Sequence, residues 1–214
     1  MWLSERGLTA LLIMLVLDLF VLPIFAPDLG HVALDVAYLV LLVTGAAALC
    51  ATRVSRFLAV GFALLALAFR GLERTDISSI TVLGSTAASL VTMIVFSFLV
   101  LLRTMSPGPI TRFRIQGAVA TYMLVGLTFA QAFELTEIVE PGSFQFAAAI
   151  LPEEVPYELR YYSVVTLTTV GYGDVTPVSR TARSLANFEG LIGQLYPVVI
   201  LGWMVASLRG RRPD

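Results

Sequence analysis

The sequence predicts an all-α membrane protein that crosses the bilayer six times and carries one shorter helix that does not cross. Hydrophobic residues make up 57% of the 214 residues and charged residues only 14%, whereas a soluble domain carries about 25% charged residues. Six apolar stretches approach the roughly 20 residues that a helix needs to span the hydrocarbon core, and a seventh is too short to span it.

The six apolar stretches follow one another along the chain. They are Leu8–Ala26, Val32–Thr52, Val54–Leu72, Ile80–Leu102, Ile115–Leu135 and Leu185–Leu208. The third is the weakest, because its uncharged part is short and Arg56 and Arg70 must extend to the two interfaces. The seventh stretch, Tyr157 to Thr168, lies between the fifth and sixth and predicts a re-entrant helix.

The arginines predict the orientation of these spans. An even number of spans places both termini on one side, and most arginines then lie on that side. These are Arg6, Arg53, Arg56, Arg103, Arg112, Arg114, Arg209, Arg211 and Arg212, while Arg70, Arg74, Arg160, Arg180 and Arg183 lie opposite. Because positive residues favour the cytoplasmic side, both termini are expected in the cytoplasm.

The spans divide the chain into two parts. Residues 1–104 form a four-helix transmembrane domain, and residues 115–208 form a second domain that includes the re-entrant helix. Residues 105–114 are a cytoplasmic linker in which Pro107, Gly108 and Pro109 break the helix. The tail, residues 209–214, is too short to hold a soluble ligand-binding domain.

A nine-residue motif, Thr166–Asp174, begins at the end of the re-entrant helix and reads TLTTVGYGD. Gly171 and Gly173 alternate with residues that carry side chains, so alternate positions can adopt backbone angles that other L-residues avoid. Such a strand can direct successive carbonyl groups to one side. Four copies around an axis would then form rings of oxygens that replace the water shell of a cation.

This motif resembles the pore signature of tetrameric potassium channels, the known example of such a filter. The longer segment Tyr161–Pro177 resembles the bacterial members of that family. The resemblance implies a pore helix, an inner helix in the sixth span, and four identical chains around one pore. It implies that K+ is the permeating ligand and that no cofactor is needed. The implied selectivity filter consists of Thr169, Val170, Gly171, Tyr172 and Gly173. The resemblance places K+ at the first four of these residues and the outer mouth at the fifth.

The residues that back the filter depart from the family pattern. Val165 occupies a position where some relatives carry a glutamate, and Tyr161 and Tyr162 replace a tryptophan pair. By the resemblance, Thr168 and Asp174 flank the filter and support it. Asp174 is expected to bond to Tyr162.

The outer loop is acidic. Its acids are Glu137, Glu140, Glu153, Glu154 and Glu158. They either raise the local cation concentration at the pore mouth or belong to a solvated loop that stays out of the membrane. The sequence leaves both interpretations open.

The sixth span contains Gly193, at the spacing from the filter where relatives carry a hinge glycine, and Pro197 one turn later. Proline kinks a helix, which favours a gating bend, although close helix packing also uses glycine. Gly193, Pro197, Ile200 and Met204 share one face at helical spacing and are expected to line a cavity. Ile200 and Met204 are candidates for an apolar ring that gates by dewetting.

Acids within spans, where charge is expensive, include Glu189, Asp18 and Asp35. Glu189 either supports the filter or the pore helix, or is an interfacial acid near the end of its span. For Asp18 and Asp35 we favour interhelical hydrogen bonds over a counter-charge, a proton site or a ligand contact.

The fourth span contains no arginine or lysine, so it cannot do the field-driven work of a voltage sensor. We therefore expect a homotetrameric, potassium-selective, passive channel in the lipid of the bacterial inner membrane. It is not expected to be an enzyme, because no catalytic cluster is present. Nucleic-acid binding is not expected at a net charge of −1. The alternatives are a weakly selective cation channel, because the filter backing is altered, and a non-conducting membrane assembly subunit.

Overall fold

The computed structural model of the chain describes residues 2–25, 38–41, 44–45, 57, 60–62, 64–69, 71, 78–106 and 111–209. The labelled elements within them are α1 (Trp2–Val16), α2 (Ser79–Thr104), α3 (Arg112–Val139), β1 (Phe144–Phe146), α4 (Val155–Leu167), β2 (Val175–Pro177) and α5 (Arg180–Arg209). A π-helical turn, Leu17–Val21, extends α1, and a short 3-10 turn, Pro152–Glu154, precedes α4.

Four helical segments of the described residues are long and apolar enough to cross a membrane. They are Gly7–Phe25, Ser79–Thr104, Arg112–Val139 and Arg180–Ser207, which correspond to the first, fourth, fifth and sixth predicted spans. A shorter apolar helix, Val60–Phe69, lies inside the third predicted span. Most of the second predicted span, with Asp35, lies outside the described residues, as do residues 107–110 of the linker. The count of six spans therefore stays a prediction.

Helix α2 begins with a capping box. The Ser78 hydroxyl accepts from the Thr81 amide at 3.3 Å, and the Thr81 hydroxyl accepts from the Ser78 amide at 3.1 Å, which satisfies two amides that the start of a helix leaves free. The buried face of α2 is rich in small and hydroxyl-bearing residues, including Ser85, Thr86, Ala88, Ser89 and Thr92. Such residues let membrane helices approach closely, and α2 packs along α3.

Two apolar clusters hold these elements together. The first joins α1, α2 and α3 and includes the fully buried Leu11, Leu15, Phe96 and Leu124. The second lies beneath the outer loop and joins α3, β1 and α4. Its larger members are Phe129, Phe133, Phe144, Leu159 and Tyr162. Three of its rings have centroids 5.1 to 5.4 Å apart, the spacing of favourable aromatic pairs.

Helix α4 has 13 residues, which is about 20 Å of helix and too short to cross a hydrocarbon core of about 30 Å. At its start, the Glu154 carboxylate accepts from the Leu151 amide at 2.7 Å. After α4, residues 168–174 run without helix or strand into β2. Strand β2 pairs antiparallel with β1, with Phe144 opposite Pro177. This small sheet fixes the far end of the irregular segment.

Candidate functional site

The backbone of the motif alternates between left-handed and ordinary conformations. Thr169, Gly171 and Gly173 have φ of 60°, 59° and 82°; the glycine spacing predicts the last two angles but not that of Thr169. Glycine adopts such angles freely, but Thr169 is β-branched, and holding it there costs about 1 to 3 kcal/mol. Strain of this size persists only where the surrounding structure enforces the conformation.

The last turn of α4 enforces this conformation through the amides of the irregular segment 168–174 (hereafter the strand, distinct from β1 and β2). The Val165 carbonyl accepts from the Val170 amide at 2.9 Å and from the Gly171 amide at 3.4 Å, and the Thr169 amide donates to the Thr166 carbonyl at 2.9 Å. Val165 thus supports the strand through its main chain, with its own side chain buried.

The carbonyl groups of the strand are left for a ligand. None of the hydrogen bonds within the described part of the chain uses the carbonyls of residues 169–173, and these residues are exposed in the single chain. A row of free carbonyl oxygens is suited to coordinating a dehydrated cation. These oxygens are the candidate K+ ligands.

Asp174 at the outer end of the strand bonds to Tyr161. The Tyr161 hydroxyl donates to Asp174 Oδ2 at 2.6 Å, and the Val175 amide donates to Oδ1 at 3.0 Å. The expected bond to Tyr162 is therefore wrong. Neighbouring helical residues point about 100° apart, and the Tyr162 ring turns into the aromatic cluster while Tyr161 faces the strand.

The hydrogen bond between Tyr161 and Asp174 also shifts the pKa values of both groups. The hydrogen bond from Tyr161 holds the pKa of the Asp174 carboxyl below its usual value and raises the pKa of Tyr161 to about 12. The Tyr161 ring also stacks on the Tyr172 ring, with centroids 6.4 Å apart and planes 1° from parallel. Tyr161 thus braces the strand both through Asp174 and through Tyr172.

Two of the loop acids are engaged with the loop itself. The Glu137 carboxylate accepts from the Gly142 amide at 2.7 Å and from the Phe144 amide at 3.1 Å, and the Glu154 carboxylate caps the 3-10 turn that precedes α4. For these two acids the structure indicates a role in building the loop. Burial raises the pKa of the Glu158 carboxyl, and the charges of Asp174 and Glu154 raise it further.

Helices α3, α4 and α5 meet closely behind the strand. A Cβ atom at Gly193 on α5 would overlap the Leu167 carbonyl oxygen at the end of α4. The Tyr122 hydroxyl on α3 donates to the same Leu167 carbonyl at 2.9 Å. Gly193 therefore serves close packing in this structure, one of the two interpretations that the sequence left open. Helix α5 runs through Pro197, and the proposed hinge stays a prediction.

The four residues expected to line a cavity differ in their exposure to solvent. Pro197 is exposed and Met204 is half-buried, but Ile200 is only 6% exposed. Ile200 packs inside its own subunit, so the expectation that it lines a cavity or forms a gating ring is wrong. Helical spacing placed the four residues on one face but did not give the direction of that face.

Glu189 lies fully buried on α5. The Ser163 hydroxyl on α4 is 2.5 Å from Glu189 Oε1 and 2.6 Å from the Gly126 carbonyl on α3. A side chain without exposed surface is not an interfacial acid. Of the two sequence interpretations, the structure supports contact with the re-entrant helix.

Asp18 lies in the π-helical turn that extends α1 and pairs with Arg160 on α4. The guanidinium Nη1 lies 3.1 and 3.2 Å from the two carboxylate oxygens, and the side chains are 5% and 11% exposed. A π-helical turn in an α-helix often marks a functional position. Sequence reasoning missed this partner. It favoured an interhelical hydrogen bond for Asp18 but named no residue.

The apolar spans, the re-entrant helix and the carbonyl-bearing strand together define a membrane protein with a pore-like domain. Residues 145–209 match the sequence model of a family described as "Ion channel". The match begins within β1 and covers α4, the strand and α5. This segment is therefore similar to an ion-channel domain, the matched family is one of channels rather than enzymes, and the described helices include four that are long and apolar enough to cross a membrane.

A curated relative is the two pore potassium channel c of Oryza sativa subsp. japonica. It is 33% identical over 85 residues, which are 40% of this chain and 17% of that protein. The chain thus spans about a sixth of the length of this relative. No solved structure matches the chain significantly.

Proposed function

We propose that four copies of this chain form a potassium-selective channel that passes K+ down its electrochemical gradient. The observation that carries the proposal is the alternating backbone of residues 169–173, with unused carbonyls, directly after a re-entrant helix. The ion-channel match and the potassium channel relative support it. The filter residues are Thr169, Val170, Gly171, Tyr172 and Gly173.

The proposed tetramer follows from what one chain leaves uncovered. Irregular backbone is tolerated at membrane depth only where it is buried in protein or lines water, yet Tyr172 is 71% exposed in the single chain. Helix α5 also leaves a long apolar face open, with Leu191, Leu195, Val198, Leu201 and Val205 exposed. Four copies around an axis would cover these surfaces and close the oxygen rings.

The proposed selectivity rests on the anchoring of the strand. The amides of Val170 and Gly171 are held by Val165, so the carbonyls stay turned away from α4. The C-terminal end of α4 carries partial negative charge, which favours a cation nearby. A K+ ion that sheds its water would exchange it for these fixed oxygens.

Gating by a charged voltage sensor is not part of the proposal. Apart from Arg103 in its last turn, α2 carries no basic residue, and its buried face is rich in small and hydroxyl-bearing residues suited to packing. Both termini in the cytoplasm and a bacterial inner membrane complete the proposed arrangement.

Flux from liposomes tests the proposal. Vesicles loaded with K+ and containing the full chain should leak K+ faster than protein-free vesicles, and faster than the same vesicles leak Na+. Equal K+ and Na+ flux would favour the weakly selective channel. A leak no faster than that of protein-free vesicles would favour the non-conducting subunit and refute the channel.

A matched pair of glycine variants assigns the flux to the filter. Gly171→Ala places a side chain at φ 59°, which costs about 1 to 2 kcal/mol, and should reduce K+ selectivity. Gly202→Ala lies on α5 with no atom within 4 Å of the added Cβ and should leave selectivity unchanged. Equal selectivity in both variants would count against this filter.

A further inference from the structure

The number of hydrogens available at the contact between Glu189 and Ser163 determines whether the Glu189 carboxyl group is protonated or ionised. The Ser163 oxygen has one hydrogen and two oxygen neighbours, the Gly126 carbonyl at 2.6 Å and Glu189 Oε1 at 2.5 Å. A carbonyl only accepts. If Glu189 were ionised, it would also only accept, and one of the two short contacts would lack a hydrogen.

A proton on Glu189 satisfies both contacts. Ser163 then donates to the Gly126 carbonyl, and the carboxylic acid donates from Oε1 to the Ser163 oxygen. An O–H to oxygen bond is shorter than an N–H to oxygen bond, which agrees with both distances. Three helices are thereby joined by two hydrogen bonds in series.

The other oxygen of the carboxyl group supports the same state. Glu189 Oε2 is buried and has no hydrogen-bond partner. A bare carboxylate oxygen in an apolar interior carries a large desolvation penalty, whereas a neutral carbonyl oxygen carries a much smaller one. This observation concerns a different atom and is independent of the hydrogen count.

We propose that Glu189 is a positioning residue that acts as a neutral carboxylic acid, holding α4 against α5 through Ser163. The inference rests on the proposed channel function, because its effect is exerted on the filter. Ser163 lies two residues before Val165, whose carbonyl holds the amides of Val170 and Gly171. Loss of the Glu189 proton frees this turn of α4 and so disturbs the filter.

The titratable groups around Glu189 leave its own proton as the one that controls the contact with Ser163. The titratable side chains that interact with it from neighbouring helices are the phenols of Tyr122 on α3 and Tyr162 on α4. Both are neutral at the same pH as a protonated carboxyl. Within the described residues, Ser163 is the hydrogen-bond partner of Glu189, and no arginine is paired with it.

The experiment measures K+ flux from liposomes containing the full chain as the pH is raised from neutral to strongly alkaline. Wild type should conduct at neutral pH and lose flux once Glu189 ionises, by roughly ten-fold per pH unit because the protonated fraction falls by that factor. Glu189→Gln keeps a neutral donor of the same shape and should conduct with a flat profile. Glu189→Ala should conduct poorly throughout.

The matched control is Glu140→Gln, which removes a carboxyl from the exposed outer loop and should keep the wild-type pH profile. A second readout does not depend on flux. Infrared spectra at neutral pH should contain the carbonyl band of a protonated carboxylic acid in wild type, and Glu189→Gln should lack it.

The outcomes separate this inference from the channel proposal. Absence of wild-type flux at neutral pH would refute the channel, while the infrared band would still test the protonation state. A wild-type profile that stays flat, or an alkaline loss retained by Glu189→Gln, would overturn the inference and leave the channel standing. The second result would assign the pH response to a phenol.

Discussion

Helix α4 is held by two buried carboxyl groups that solve the same physical problem differently. Asp18 reaches it from α1 and meets the guanidinium of Arg160, while Glu189 reaches it from α5 and meets the hydroxyl of Ser163. The two contacts lie three residues apart on α4. An acid within a membrane span needs a charged partner or a proton, and each site uses one of these.

This difference determines whether each contact is permanent or can be broken by a change in protonation. The Asp18 contact joins opposite charges, in which one guanidinium satisfies both carboxylate oxygens, so it fixes the N-terminal part to the pore part. The Glu189 contact depends on the position of one proton, so it can be switched. The N-terminal helix therefore serves as a fixed support, and the junction behind the filter is the adjustable element.

The largest effect is expected from breaking the ion pair. Asp18→Asn leaves the Arg160 charge buried without compensation, which should cost about 3 to 5 kcal/mol. The free energy of unfolding in mixed micelles measures it. Glu189→Gln leaves no charge behind and should cost much less, so a similar loss in both variants would contradict the assigned difference.

A double variant separates the charge from the packing at this contact. Replacing a buried ion pair by apolar residues of similar volume is often neutral. Asp18→Leu combined with Arg160→Met should therefore recover most of the stability that Asp18→Asn loses. If it loses as much as the single variant, shape at the contact matters more than charge.

The sequence predicted those parts of the fold that depend on local pattern. Long apolar runs predicted the spans now observed as α2, α3 and α5. The spacing of Gly171 and Gly173 predicted left-handed backbone at these two positions, because glycine adopts such angles freely. The left-handed Thr169 was not predicted, because its conformation is imposed by the last turn of α4. Strands β1 and β2 were missed because three residues each, in a loop, are too short for an alternating pattern.

Contacts between distant residues were beyond the sequence. Asp18 and Arg160 are 142 positions apart, and helical periodicity relates only residues on the same helix. The same limit explains the error at Ile200, whose helical face was assigned without knowledge of what packs on it. It also explains the choice of Tyr162 over Tyr161 as the partner of Asp174.

An intermediate effect is expected from crowding the junction behind the filter. Gly193→Ala forces a methyl group into the Leu167 carbonyl and should destabilise by about 1 to 3 kcal/mol, as overpacking does. It should also displace the end of α4 and lower K+ flux. Gly190→Ala, on the same helix with no atom within 4 Å of the added Cβ, is the control, and equal losses would refute the close contact.

The smallest effect on stability is expected at a third carboxyl, Asp174, which is exposed and needs neither a cation nor a proton. Tyr161→Phe removes the hydroxyl that bonds to it, and water can replace that donor. Unfolding should change little, while K+ selectivity should fall because the outer end of the filter loses a brace.

Tyr162→Phe is the matched variant for this test. Its hydroxyl interacts with the Thr166 side chain in a largely buried setting, where a lost polar contact costs more than at the surface. We therefore expect Tyr162→Phe to lower the unfolding free energy more than Tyr161→Phe, and Tyr161→Phe to alter the K+ to Na+ flux ratio more. If Tyr162→Phe alters the flux ratio more and Tyr161→Phe lowers the unfolding free energy more, Asp174 is supported by the aromatic cluster. The exposed Asp174 would then contribute to stability as the buried Asp18 and Glu189 do.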